Sequence, residues 1–488
     1  MLIYSRLFRV LFLFVALLVP VSAHGIQRPT PHQSPTIPSS PINYGAAMRR
    51  GLAHEAQPGT LPQYDLQLTI DPQKRRLSGR MTLTFRNTTG VGLNDVVLRL
   101  YPQFPPDIFG DGGDVTMTVS DIVVQGAPTT GSYEAQRTVL RLALPKPLAP
   151  NDTLNLSLNY QANIVPWQRS DGTFPLPSYY PMLAVWQDGW RADVTRFPDR
   201  VYSASALYHA TITVPTGWTA ITTGSTIASR EQNGTTTFEA VTGPVREFAF
   251  SVGRFTAARA SHDGVEVIVH HRQGDKLEAA ADVMAKHVAA SLATFDDRFG
   301  RYPYRELEFH LINAQRGFDI GAEFPGLVVI LLNGRYTDDT RFVTAHEVAH
   351  QWFYGVIGND IYNDPWLDES FAQYAGTLVE EQWAGQPAAK RVYDRHITRL
   401  AARTKLPAGL STREYGTWNT YYAAVYGRGA QFLHTLRQEI GDDAFFDGLR
   451  NYYNAHKYGI AQSDDVRAIF EQSSGRDLKP LFTRWLGN

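Results

Sequence analysis

The chain contains no cysteine. Disulfides, thiolate metal sites, a cysteine nucleophile and a lipid-bearing N-terminal cysteine are therefore excluded. Neither sign of charge is in excess: 46 Lys and Arg stand against 47 Asp and Glu, a formal net charge of -1. Such a balance offers no electrostatic footing for a nucleic-acid or polyanion partner. Long apolar runs are missing too. The one near the start, Val10 to Val19, is shorter than the ~20 residues a membrane-spanning helix needs. It follows Arg6 and Arg9 and precedes Pro20 and the small residues Val21-Ser22-Ala23. A basic segment, a short apolar core and small residues at the cut describe a secretory signal over 1–23, cleaved after Ala23. This predicts an exported protein, periplasmic or secreted and bacterial, with no stable membrane span after cleavage. An uncleaved signal would leave it tethered to the membrane.

What is present is a globular composition, 43% hydrophobic and 12% aromatic over 488 residues. That length predicts two or three domains and a core large enough to need no disulfide. Residues 24–62 are rich in Pro, Ser, Gly and Thr without apolar period, which predicts an irregular arm. From Gln63 the period is two: Tyr64, Leu66, Leu68 and Ile70, then Met81, Leu83 and Phe85. Many such short runs separated by Gly, Pro and Asn predict an all-β, antiparallel sandwich-like domain over 63–258. After about 259 the pattern mixes strands (Val265 to His270, Leu307 to Ile312, Leu327 to Leu332) with helical periodicity. From about 388 it is almost wholly helical. An α+β domain with a helical C-terminal part is expected over 259–488.

The segment His346-Glu347-Val348-Ala349-His350 lies on a predicted helix. Residues four apart on a helix are offset by about 40° and about 6 Å, so both imidazoles leave one face and can share a Zn²⁺ ion. Glu347 sits about 100° round from His346, beside the metal, where a base for bound water belongs. Catalytic zinc usually has three protein ligands and an open position. Asp364-Pro365 reads as the start of a second helix, with Asp364 as its cap and Glu369 one turn in, aimed at the same ion.

At these residues the chain resembles the aminopeptidase N family of zinc metallopeptidases, marked by H-E-x-x-H, eighteen residues, then Glu. Residues 351 to 368 separate His350 from Glu369. His346 to Phe353 is similar to the family's H-E-[LV]-A-H-Q-W-F. Trp366 to Ala372 is similar to W-L-N-E-G-F-A, with Asp368 and Ser370 departing from it. The resemblance implies more. Gly321-Ala322-Glu323-Phe324-Pro325-Gly326 is similar to the M-E-Y-P-G segment, with Ala322 for Met, making Glu323 the anchor for a substrate's free α-amine and Gly321 and Ala322 substrate-binding neighbours. Tyr426-Gly427-Arg428-Gly429-Ala430 is similar to Y-x-K-G-A, making Tyr426 the donor to the tetrahedral intermediate. It also implies a thermolysin-like catalytic domain, one zinc ion, peptide substrates with free N-termini, and removal of the first residue. Only 119 residues follow Glu369, too few for the large helical domain of longer family members. A zinc endopeptidase on the same core and a non-catalytic binding relative are the alternatives. Leu327 to Leu332 is expected as an edge strand for substrate backbone. Residues His209, His270, His271, His310 and His434 lack ligand spacing and read as structural.

Overall fold

A computed structural model of the chain describes residues 41–105, 114–167, 172–195, 197, 199–314 and 319–487. The expected signal over 1–23 and the first part of the arm, 24–40, lie outside the described residues. From Asn43 onward the chain packs as one unit. Its first residues are held by a buried Arg49, which pairs with Asp263, donates to Asp296 at 2.8 Å and to the Tyr302 carbonyl at 3.1 Å.

The N-terminal half is many-stranded β structure. Alternation does what it should: in Gln63–Asp71 the residues Tyr64, Leu66, Leu68 and Ile70 are buried while Gln67 and Thr69 face out. This strand lies inside an eight-stranded sheet, between Arg76–Arg86 and Leu207–Pro215, beside sheets of four and three strands. The pairing is not wholly antiparallel. Gln63–Asp71 runs parallel to Leu207–Pro215, in register Gln63 with Leu207. Side-chain period cannot reveal strand direction, because it is two in either case.

A mixed α/β region follows, with helices towards the C-terminus. Its five strands lie in the order Phe255–His262, Val265–Arg272, Glu306–Asn313, Leu327–Leu332 and Ile320–Ala322. Leu327–Leu332 is therefore not the edge expected of it. The short strand Ile320–Ala322 pairs with it antiparallel, Gly321 opposite Ile330, and takes the edge itself. All six residues of Leu327–Leu332 are buried, as a strand flanked on both sides should be. Among the described residues no helix is long and apolar enough to cross a membrane.

Two helices bring the predicted ligands together. Asp338–Ala349 is capped by Thr337, whose hydroxyl accepts from the Thr340 amide in a capping box. The cap at Thr337 leaves Glu347 in the last turn, free of any capping role. Trp366–Ala384 packs against it. Arg341 reaches across with Nε 2.8 Å and an Nη nitrogen 3.2 Å from the two oxygens of buried Glu380. Gly376 allows the close approach: a Cβ there would stand 2.7 Å from the Phe342 ring.

Candidate active site

His346 lies in the last turn of Asp338–Ala349, and His350 at its C-cap with still-helical φ -61° and ψ -16°. The four-residue spacing thus keeps both rings on one side even though the helix ends there. Their Nε2 atoms are 3.0 Å apart, and Glu369 Oε2 is 3.3 Å from one and 3.4 Å from the other. Ligands about 2.0–2.1 Å from a tetrahedral zinc are about 3.3–3.4 Å from one another, so these three atoms already stand close to the spacing the ion requires. Glu369 Oε2 is buried and has no hydrogen-bond donor. A cation at that point would satisfy it, and the residues fit the group. His350 Nδ1 lies 3.0 Å from the Phe353 carbonyl, which can only accept, so Nδ1 carries the proton and Nε2 is free to ligate.

Glu369 arrives differently from the expectation. Its helix begins at Trp366 after Pro365, without a side-chain cap. Asp364 is drawn instead to Ser463, whose hydroxyl donates to it at 2.5 Å. Asp368 supplies the local bond, accepting from the Glu369 amide at 2.7 Å.

Glu347 is 5% exposed, and one carboxylate oxygen, Oε2, is buried without a partner. Its carboxylate lies against Gly321 of the edge strand, where any Cβ would overlap it. Gln351 ties this helix to the following loop: the Gly326 amide donates to Gln351 Oε1 at 2.7 Å, and Gln351 Nε2 is 3.4 Å from the Phe324 carbonyl. Glu323 thereby lies near enough for its charge to bear on Glu347. A second carboxylate joins it. One oxygen each of Asp199, Glu323 and Glu369 lies within 4.8 Å of the others, an acidic group that shares Glu369 with the His346–His350–Glu369 cluster. Sequence reasoning missed Asp199, which stands in a loop of the β region with no motif to mark it.

Tyr426 meets the expectation of proximity. Its hydroxyl donates to Glu369 Oε1, and its ring stacks on His346 with centroids 5.8 Å apart. The neighbouring Tyr421 donates to Asp199 at 3.3 Å. Both lie on one helical stretch: Thr417 caps Trp418–Tyr422, and Ala423–Gly429 is a π-helical segment before Ala430–Ile440. Ser370, at a departure from the family pattern, donates to the Val425 carbonyl at 2.7 Å and so braces that segment. The remaining histidines have partners elsewhere: Asp65 and Glu239 for His209, Glu308 for His270, Asp275 for His271, Ser251 for His310, Tyr374 for His434.

The electrostatics ask for positive charge. Burial, then the Glu323 carboxylate nearby, pushes Glu347 well up. Burial followed by Glu369 pushes Asp199 well up, and burial raises Glu323. At Glu369 burial works the same way, but His350 and the nearness of both imidazoles, 3.3 and 3.4 Å from Oε2, outweigh it and hold the carboxyl below its ordinary range. Packed carboxylates with raised pKa values are the signature of a site built around cations.

The Peptidase family M1 domain matches residues 326–485. The chain is 26% identical to aminopeptidase N of Streptomyces lividans over 306 residues, which cover 58% of this chain and 35% of that one. It is 30% identical to aminopeptidase N of Lactococcus lactis subsp. lactis over 281 residues, 53% of this chain and 32% of that one. It thus spans about a third of the length of these curated relatives. Among solved structures, the M1 zinc metallopeptidase of Deinococcus radiodurans superposes with TM-score 0.65 at 22% identity, covering 87% of this chain and 93% of that one. A variant of a two-domain M1 zinc metallopeptidase bound to L-arginine superposes with TM-score 0.68 at 23% identity over the same shares. With the HExxH helix, the Glu369 helix and the two-region fold all in place, residues 326–485 form a Peptidase family M1 domain and the chain is aminopeptidase N-like.

Proposed function

We propose that this chain is a zinc-dependent aminopeptidase that removes the N-terminal residue of peptides. The observation that carries the reading is the pair of overlapping clusters: His346, His350 and Glu369 for a metal, and Asp199 and Glu323 beside Glu369 for a substrate ammonium. One Zn²⁺ held by the first cluster supplies Lewis acidity, polarising the scissile carbonyl and acidifying water. Glu347 takes the proton of the attacking water on its carboxylate and delivers it to the leaving amine. The Tyr426 hydroxyl, now on Glu369, turns its proton to the oxyanion as charge develops there. Glu323 and Asp199 pair with the α-ammonium and set the register so that one residue lies before the scissile bond. The outer side of Ile320–Ala322, with Gly321 and Ala322, offers backbone groups to the substrate chain. A variant of the M1 zinc metallopeptidase of Deinococcus radiodurans has been captured with Tyr-Ser-Ala as its substrate.

The reading extends to organisation and address. It places the boundary between the β domain and the catalytic domain near residue 258, and sends the protein out of the cytoplasm after cleavage at Ala23. N-terminal sequencing of protein recovered from the periplasm or medium tests the latter; a chain retained in the cytoplasm with residues 1–23 intact would contradict it. The activity is tested by comparing free and N-acetylated peptides with and without chelator. Cleavage of free N-termini only, lost with chelator and weakened in Glu323→Ala, is expected. Equal rates on blocked and free peptides would sink the exopeptidase reading and favour an endopeptidase.

A further inference from the structure

We propose that Tyr354, gripped by Arg246 and Glu247 of the β region, is a positioning residue for the metal ligand His350. The inference rests on the metal reading above.

His350 is oriented by a backbone carbonyl, that of Phe353 at 3.0 Å from Nδ1. No side chain can be exchanged to tune that bond. Its direction depends on the 353–354 peptide plane, and so on the φ angle of Tyr354. That angle is +105°, in the left-handed half of the map that favours glycine and that a bulky side chain rarely adopts. Relaxation to a negative φ would swing the plane and carry the Phe353 carbonyl off the imidazole. Something must hold Tyr354 where it is.

Two adjacent residues do so from opposite ends. Arg246 donates through Nε to the Tyr354 carbonyl at 3.0 Å. The same guanidinium donates to the Ser203 carbonyl at 2.8 Å and to the Gly459 carbonyl, so it is itself fixed. Glu247 accepts the Tyr354 phenol on one oxygen and the Ser178 hydroxyl on the other. Arg246 and Glu247 are 2% and 0% exposed, and Tyr354 is 7% exposed. A buried arginine whose hydrogen bonds go to backbone carbonyls and a buried glutamate bonded to hydroxyls are expensive groups to place. Between them they grip both the main chain and the ring of one strained residue. The loop from His350 to Ile357 closes on itself as well, through Tyr354 N to the Ile357 carbonyl and Gly355 N to the His350 carbonyl, both 2.8 Å. The β region thereby bears on the orientation of His350 through Tyr354. Groups that orient ligating histidines typically change metal affinity by about 10–100-fold when lost.

The test measures zinc affinity by chelator competition and the visible spectrum of the Co²⁺-substituted protein. Tyr354→Phe deletes one oxygen and keeps the packing; Glu247→Ala removes the acceptor. Each is expected to weaken zinc binding about tenfold or more and to shift the Co²⁺ bands. Adding Tyr354→Gly to Glu247→Ala is expected to restore affinity to within about threefold, because glycine adopts φ +105° without being held. Tight wild-type binding that both single variants share, with unchanged Co²⁺ bands, would overturn the inference alone. So would a loss that glycine fails to restore, since that would mark a general packing defect. Wild-type protein that binds no zinc would overturn the metal reading and this inference with it.

Discussion

Substituting Gly321 by alanine should disable the base without touching the metal. Gly321 sits in the edge strand, hydrogen-bonded in register opposite Ile330, so its Cα is fixed by the ladder. The Glu347 carboxylate occupies the space a Cβ would take. Ordinary carbon contacts lie at ~3.5 Å, and restoring that separation requires the carboxylate to retreat by more than about 1 Å. Displacement of a reacting group by about 1 Å costs on the order of 100-fold, or about 2.7 kcal/mol in the barrier. The three atoms nearest the new methyl group all belong to Glu347, so zinc stoichiometry should be that of wild type. The expected result is a kcat/KM on aminoacyl fluorogenic substrates reduced about 100-fold, with full zinc content and an unchanged melting temperature. In a Glu347→Ala background the same substitution should add almost nothing, because both changes act on one group. Zinc-loaded Gly321→Ala that keeps more than about a third of wild-type kcat/KM would refute the placement of the base.

Tyr426→Phe should lower kcat by about 100-fold or more while KM changes little, since the hydroxyl is called on only as charge develops; a change confined to KM would argue against that role. Ser370→Ala removes the donor to the Val425 carbonyl and should cost about 1 kcal/mol in urea unfolding, with a further loss of kcat because the π-helical segment carries Tyr426. His271 opposes burial with its Asp275 hydrogen bond, at 2.8 Å, and the nearby Glu278, and the balance raises its pKa above the ordinary ~6.5. A raised folded-state pKa gives stabilisation that is complete below ~6.5 and lost as pH rises through the folded value. The stability gap between wild type and Asp275→Asn should therefore be wider at pH 6 than at pH 9; a gap independent of pH would show the pair to be uncharged.

Local arithmetic accounts for much of what was legible. The i, i+4 spacing of His346 and His350 is a property of any helix, so their common face followed as soon as a helix was expected there. Burial alternation in Gln63–Asp71 came from its own side chains. Strand order did not, because it depends on which segments find one another: a three-residue strand at 320–322, too short to announce itself, displaced Leu327–Leu332 from the edge. No side chain marks Thr417 as a cap or Ala423–Gly429 as π-helical, because both depend on backbone hydrogen bonds settled on folding.

The sequence by itself marked His346, His350 and Glu369 as candidate ligands and Glu347 as candidate base, and separated a β-rich region from a mixed one, because each rests on residue type and spacing along the chain. Only the tertiary structure decided that Asp199 joins Glu323, and that Gln351 ties the HExxH helix to the Glu323 loop. It also decided that Arg246 and Glu247 hold Tyr354 beside His350. Those contacts join residues more than twenty, and in some cases more than one hundred, positions apart. No periodicity links such positions; they meet because burial of the sheets and helices leaves the polar groups between them few partners.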